Sequence, residues 1–228
     1  MSHLKGKFEM DIMEAIAARH SVRVYKEEKI DGEIREKLDV LVREVNEESG
    51  LDITIEYDNP EGFDSKLAHY GNFRNVGNFI ILKGKDVPDF EERCGYYGEK
   101  IVLKAQMLGL NSCWAALTFN KKMVKRLVPD GERFGMVIAL GYGETSGTSR
   151  KSKDMSDVVA TKGNMPEWFE KGAKAALLAP TAVNQQKFKM GLMNGEPVIK
   201  VDGVGFYTKT DLGIVKYHFE AASGRKVR

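Results

Sequence analysis

Ile16-Ala17-Ala18-Arg19-His20-Ser21-Val22-Arg23 is the stretch on which the reading of this chain turns. Upstream of it, Ile12, Met13, Ile16 and Ala17 recur at helical spacing, which predicts an amphipathic helix over 11–19. Downstream, Val22, Val24 and Tyr25 favour extended chain. Arg19, His20, Ser21 and Arg23 therefore stand where a helix gives way to extended backbone. Two guanidiniums and a hydroxyl so close together can surround a phosphate, because Arg offers planar charge-assisted donors and Ser a neutral one. Read alone, the stretch fits better a solvated helix end whose cations suit the macrodipole. A second basic run, Arg150-Lys151-Ser152-Lys153, could converge on the same anion or form a solvated loop.

The composition narrows the classes of partner. The chain has 228 residues, 42% hydrophobic and 30% charged, which is ordinary globular usage. Its formal charge of +2, from 35 basic and 33 acidic residues, argues for no nucleic acid as partner. No apolar run approaches the roughly 20 residues a bilayer span needs, so no membrane role is expected. Met1–Met10 carries Lys5 and Lys7 but no apolar core, and reads as a leader before the helix rather than a signal peptide. Cys94 and Cys113 form no CxxC pair, so reduced thiols and a cytoplasmic location are expected. His3, His20, His69 and His218 are scattered, so no metal site is expected. Cys113 sits among Leu110, Trp114 and Ala115 and reads as a buried structural thiol. No G-x-S-x-G elbow supports a hydrolase.

The remaining pattern is α+β. Asp31 is placed to cap a second helix bearing Ile34, Leu38, Leu41, Val42 and Val45, with Gly50 as its stop. Leu51 to Tyr57 alternates as a half-buried strand, and 59–71 reads as loop. Asn78–Leu82 and Met136–Leu140 are short buried strands flanking a central helix over Gly98–Leu108, which Gly109 ends. Asn120 could cap a short helix carrying Met123 and Val124. Gly141–Lys153 marks a break. Beyond it, Pro166 opens a helix with Trp168, Phe169, Ala173 and Ala176, and 179–186 is loop. Strands on either side of Asn194-Gly195 form a hairpin, and Asp211 caps a last helix. Gly141-Tyr142-Gly143 with Gly147 is a near miss for the dinucleotide fingerprint, with its third glycine one place late and no βαβ unit around it.

Taken together, these marks resemble the FMN-dependent nitroreductase family. Arg19-His20-Ser21-Val22-Arg23 is similar to its opening flavin-phosphate motif, R-[RH]-S-x-[RK]. Gly109-Leu110-Asn111-Ser112-Cys113-Trp114 resembles its G-L-G-T-C-W segment, and Ile138–Gly143 followed by Lys151–Lys153 keeps the family's order. One element is displaced. The family places A-P-S-x-x-N-x-Q-P after the second helix, where this chain has Asn46–Gly50; Ala179-Pro180-Thr181-Ala182-Val183-Asn184-Gln185-Gln186 appears instead near the C-terminus. In the family each flavin lies at a homodimer interface, with one motif from each subunit. The resemblance therefore implies a nitroreductase-like fold of two related halves forming an intramolecular pseudo-dimer. Residues 1–160 would carry the phosphate motif, and 161–228, within the same compact unit, would be a partial second half completing one flavin site.

The resemblance implies that the cofactor is FMN, that NAD(P)H reduces it, and that a small acceptor such as a nitroaromatic or quinone reoxidises it. The flavin would carry the chemistry, so no catalytic side chain is assigned. Arg19, His20, Ser21, Arg23, Lys151 and Lys153 are assigned to the phosphate and ribityl end. Trp114, Ala115, Ala116 and Leu117 are assigned to the segment near flavin N5, where the family often has glycine. Pro180, Thr181 and Asn184 would lie by the ring, and Asn72 would reach its pyrimidine edge. Markedly weaker FMN retention on Arg23→Ala is expected, on the premise that Arg23 makes a buried charge-assisted contact. A monomer would suffice, with a homodimer also possible. The alternative reading is an FMN-binding carrier or redox sensor with little turnover.

Overall fold

The computed structural model describes residues 10–161 and 165–228. Most of the expected leader, residues 1–9, lies outside them, as do the residues just beyond the expected boundary at 160.

Helix α1 spans Ile12–Ala18 and is held at its start by a capping box. The Asp11 carboxylate accepts from Glu14 N at 2.8 Å, and the Glu14 carboxylate accepts from Asp11 N at 2.9 Å. Arg19 then turns extended. Isolated bridges stitch the following segment to three separate places: Ser21 to Ser112, Val24 to Arg74 and Tyr25 to Gly143. Helix α2 runs over Gly32–Ser49 and ends at Gly50, whose φ of 69° needs no Cβ to be avoided. Asp31 occupies its N-cap position, but its side chain makes no capping bond.

Strand β1 is Thr54–Glu56, shorter than the alternation predicts. The Asn46 side chain takes both backbone groups of Ile53 (2.9 and 2.8 Å), satisfying them without a neighbouring strand. The segment 59–71 is not simply loop. It holds a 3-10 turn at Pro60–Gly62 and helix α3, Lys66–Tyr70, capped by Ser65. A single turn and a half is too short to show periodicity.

Strand β2, Asn78–Gly84, is buried throughout. Helix α4 spans Phe90–Met107, starting two turns before the expected Gly98 because Glu91, Glu92 and Arg93 dilute its apolar pattern. Strand β3, Asn111–Ala115, helix α5, Lys121–Lys125, and strand β4, Arg133–Gly141, follow. The strands make an antiparallel sheet in the order β1-β2-β4-β3. Period-two alternation splits its side chains between two cores. Ile80, Leu82, Ile138 and Leu140 pack under α2 and α4, while Phe79, Ile81, Val137 and Ala139 pack on Phe63, Phe73 and Phe119.

After a short helix α6, Met155–Val158, helix α7 spans Glu167–Ala176 with Pro166 at its N-cap. Strands β5, Phe188–Met193, and β6, Glu196–Val201, form the expected hairpin. Its turn residues Asn194 and Gly195 are both left-handed (φ 55° and 82°), as a type I′ turn demands. Helix α8, Thr208–Ser223, lies across α4 and α7, and shares a third core of Phe169, Phe188, Ile199, Val215 and Phe219.

The expectation that Asp211 caps α8 is corrected. The helix starts at Thr208, so Asp211 sits inside its first turn, and Tyr207 takes the N-cap without a side-chain bond. Asp211 bonds elsewhere, to the loop that precedes β5.

Candidate functional site

A cleft of about 1150 Å³ opens between elements far apart in sequence. Its walls are the end of α1 with 19–24, the exit of β3 from Trp114 to Thr118, the loop 144–150, the loop 178–184, and Phe206 to Ile214. That volume exceeds the roughly 1,000 Å³ at the top of the usual range for a small-molecule site.

Of the residues singled out in the sequence, Arg19, His20, Ser21, Arg23, Trp114, Ala116, Leu117, Pro180, Thr181 and Asn184 line this cleft. Asn72, Ala115, Lys151 and Lys153 do not. Ala115 faces the opposite side of the sheet from Trp114 and packs in the core with Cys113. Asn72 ends α3 in a left-handed turn (φ 62°). Lys151 gives its carbonyl to Asn184 Nδ2 at 2.9 Å, and Lys153 Nζ donates to Gln186 O at 2.8 Å. Both lysines therefore hold the 179–186 loop rather than face the cleft. The premise that Arg23 is buried is also corrected: Arg23 is exposed, with its guanidinium 5.9 Å from the Phe73 ring centroid.

Among the cations lining the cleft, Arg19 is buried and Arg150 is half-buried. Arg19 is 3% exposed and stands 3.6 Å from the Glu99 carboxylate. Arg150 donates through Nη2 to the carbonyls of Leu178, at 2.7 Å, and Ala179. Burial, and then the charge of nearby Arg19, push the Arg150 pKa down to about 10. The Nε of each guanidinium is buried without a hydrogen-bond partner. Both residues line the cleft, where two like charges are costly to leave unbalanced and an anion would offset both. Sequence reading placed Arg150 in a basic run but gave no reason to prefer it over Lys151 and Lys153. His20 is neutral-leaning, its pKa lowered by burial and by Arg19 and Arg150.

The loop 179–186 is held in a strained shape. Val183, Asn184 and Gln186 are all left-handed (φ 46°, 54° and 45°). The Asp211 carboxylate accepts from Ala182 N at 2.9 Å and Gln185 Nε2 at 2.7 Å. The buried Gln186 side chain donates to Leu177 O at 3.0 Å and accepts from Lys153 N at 2.7 Å. Burial raises the Asp211 pKa from 3.8 to about 6, against its hydrogen bonds to Gln185 and Ala182. The folded state thus binds this proton more tightly than the unfolded chain, so the contribution is full below 3.8 and is lost as pH rises through about 6. Relative to Asp211→Asn, the protein is expected to lose about 2–3 kcal/mol of unfolding free energy between pH 4 and 7. Urea titrations of both proteins across that range measure it; parallel pH profiles would refute it.

The glycines of the near-miss fingerprint serve packing. A Cβ on Gly147 (φ 77°) would stand 2.8 Å from His20 Cβ, and one on Gly143 would stand 2.7 Å from Asn111 Oδ1. They let the 143–147 loop lie directly on the 20–22 segment. The sheet around them is antiparallel, so no dinucleotide βαβ unit exists there. Burial raises the Cys113 pKa, which keeps it a neutral thiol rather than a nucleophile. Both cysteines are free.

Comparison with known proteins follows this geometry. The model of the family described as "Putative TM nitroreductase" matches residues 11–223. The structure is similar to that of a "putative nitroreductase" from Thermotoga maritima, with a TM-score of 0.69 and 24% identity over 97% of this chain and 88% of that one. A "putative NADH dehydrogenase/NAD(P)H nitroreductase" from Bacteroides thetaiotaomicron aligns with a TM-score of 0.52 and 21% identity, over 64% of this chain and 95% of its own. A "putative nitroreductase in complex with FMN" from Desulfovibrio desulfuricans aligns with a TM-score of 0.51 and 15% identity, over 68% and 98%. At these identities the likeness is one of fold. No curated protein matches the sequence.

Proposed function

The chain belongs to the TM nitroreductase family of oxidoreductases, and from that premise we propose that it binds FMN in the cleft and uses NAD(P)H to reduce a small acceptor such as a nitroaromatic or quinone. The observation that carries this reading is the pair of guanidinium groups, Arg19 and Arg150, brought from distant parts of the chain to line one cleft beside Ser21 and Arg23. The phosphate of FMN is an anion of the right chemistry to satisfy them. When bound, the flavin supplies the hydride chemistry. The chain's own residues hold it: Arg19, Arg150, Ser21 and Arg23 face its charge, while Trp114, Ala116 and Leu117 with Pro180, Thr181 and Asn184 bound the cleft from either side. Leu117, Leu178 and Phe206 leave apolar surface exposed within the cleft, which suits a flat apolar acceptor.

The pseudo-dimer belongs to the same proposal. A helix, two antiparallel strands and a closing helix occur twice: as α2, β1, β2 and α4, with the Pro60–Gly62 turn and α3 inserted between the strands, and as α7, β5, β6 and α8. The two closing helices, α4 and α8, pack on each other. One cleft would then be completed within a single chain, and a monomer would bind FMN.

Purified protein is expected to carry or take up FMN and to show flavin absorbance. On anaerobic mixing with NADH or NADPH the absorbance should bleach rapidly. Colourless protein that takes up no added FMN would refute the cofactor; FMN that stays oxidised would favour a carrier or sensor.

A further inference from the structure

Behind the cleft lies a polar cluster built on two side chains fully shut off from solvent. Glu99 on α4 and His218 on α8 are both fully buried. His218 Nδ1 is 3.1 Å from Ala175 O, and its Nε2 is 2.8 Å from Glu99 Oε1. The other Glu99 oxygen accepts from Trp114 Nε1 at 2.9 Å, and Arg19 stands 3.6 Å away. Trp114 and Arg19 both line the cleft.

The protons can be counted. A carbonyl only accepts, so Nδ1 must carry a hydrogen toward Ala175. At 2.8 Å, Nε2 and Oε1 must also share one, since two facing lone pairs would repel. Whichever atom holds it, the His218–Glu99 pair has no net charge. The carboxylate beside Arg19 is therefore already balanced from the α8 side, and the charge of Arg19 is left over.

We propose that His218 and Glu99 are positioning residues: His218 neutralises Glu99, so that Glu99 holds Arg19 and Trp114 in place without cancelling the positive charge that Arg19 presents to an anion in the cleft. The C-terminal part of the chain thereby sets the electrostatics of a site whose basic motif lies at the N-terminal end. This rests on the FMN reading for the identity of the anion.

The test is a charge-rescue cycle on the full chain: wild type, His218→Asn, Glu99→Gln, and the double variant. His218→Asn leaves a bare carboxylate beside Arg19. It is expected to weaken FMN about tenfold and to lower the preference for reduced over oxidised flavin about tenfold, about 30 mV for a two-electron couple. Glu99→Gln keeps the charge count, because the amide can donate to a neutral His218, and is expected to lose less. The double variant should regain affinity over His218→Asn despite having lost more native contacts, which a merely structural role would not produce. Wild-type affinity and potential in His218→Asn, or no rescue in the double variant, would overturn the proposal. If His218→Asn does not fold, His218→Gln, which keeps an amide donor toward Glu99, carries the same cycle. If wild type binds no FMN, that reading fails separately and inorganic phosphate becomes the probe. It should then raise the Tm of wild type and of the double variant but not that of His218→Asn, and equal or absent shifts in all three would overturn the proposal.

Discussion

Arg150→Met is expected to weaken FMN binding by about 1.5–3 kcal/mol, the worth of a charge-assisted contact in a desolvated site, or roughly ten- to hundredfold. The side chain lines the cleft, its guanidinium is mostly buried, and it sits near a second cation. Folding therefore holds an unfavourable charge that an anionic ligand relieves. Without ligand the same substitution should cost little. Two carbonyls, of Leu178 and Ala179, lose a donor, which costs about 1 kcal/mol, while the repulsion with Arg19 disappears. Methionine keeps the apolar stem. Fluorescence titration with FMN and urea denaturation of the apoprotein separate the two effects. A variant that binds FMN like wild type would remove Arg150 from the site. Exposed Arg23, by contrast, has no desolvation to amplify its contact, so its replacement should matter less.

Gly213→Val is expected to destabilise the fold by about 3 kcal/mol or more, the upper range for overpacking. A Cβ at Gly213 would fall 2.0 Å from Glu92 O and 2.6 Å from Tyr96 N, and one at Gly95 would fall 1.9 Å from Thr210 O. These are backbone atoms of the facing helix on each side, so no rotamer change can make room. The helices α4 and α8 approach closely because each places a glycine against the other's main chain. Thr210, Asp211 and Ile214 on α8 form one wall of the cleft. Forcing the helices apart should therefore weaken FMN binding even where the protein still folds. Thermal melts with and without FMN measure both. An unchanged Tm would mean that the helices do not cross at these glycines.

Much of the architecture was legible because it follows from local rules. The stop at Gly50 and the Asn194-Gly195 turn both depend on residues close in sequence. The errors share one cause. Asp211 reads as an N-cap, yet it lies inside the first turn of α8 and its partners are Ala182 and Gln185 on a loop well upstream. The extended alternation at Leu51–Ile53 is interrupted because Asn46, on the preceding helix, supplies the bonds a strand would have made. Helix α3 went unseen because five residues carry no period.

The opening stretch shows the same division. Sequence by itself determined that a helix ends at Arg19, that two arginines, a histidine and a serine cluster there, and that a Pro180–Asn184 loop stands near the other end of the chain. Helix propensity, capping and turn chemistry act over a few residues, so one chain is enough to read them. Only the tertiary structure decided which charges are desolvated. It buried Arg19 against Glu99, left Arg23 in solvent, turned Lys151 and Lys153 into tethers for a loop, and brought in Arg150. Desolvation depends on what packs against a group from every side: Arg19 meets Glu99 on α4, and Arg150 meets the carbonyls of the loop after α7.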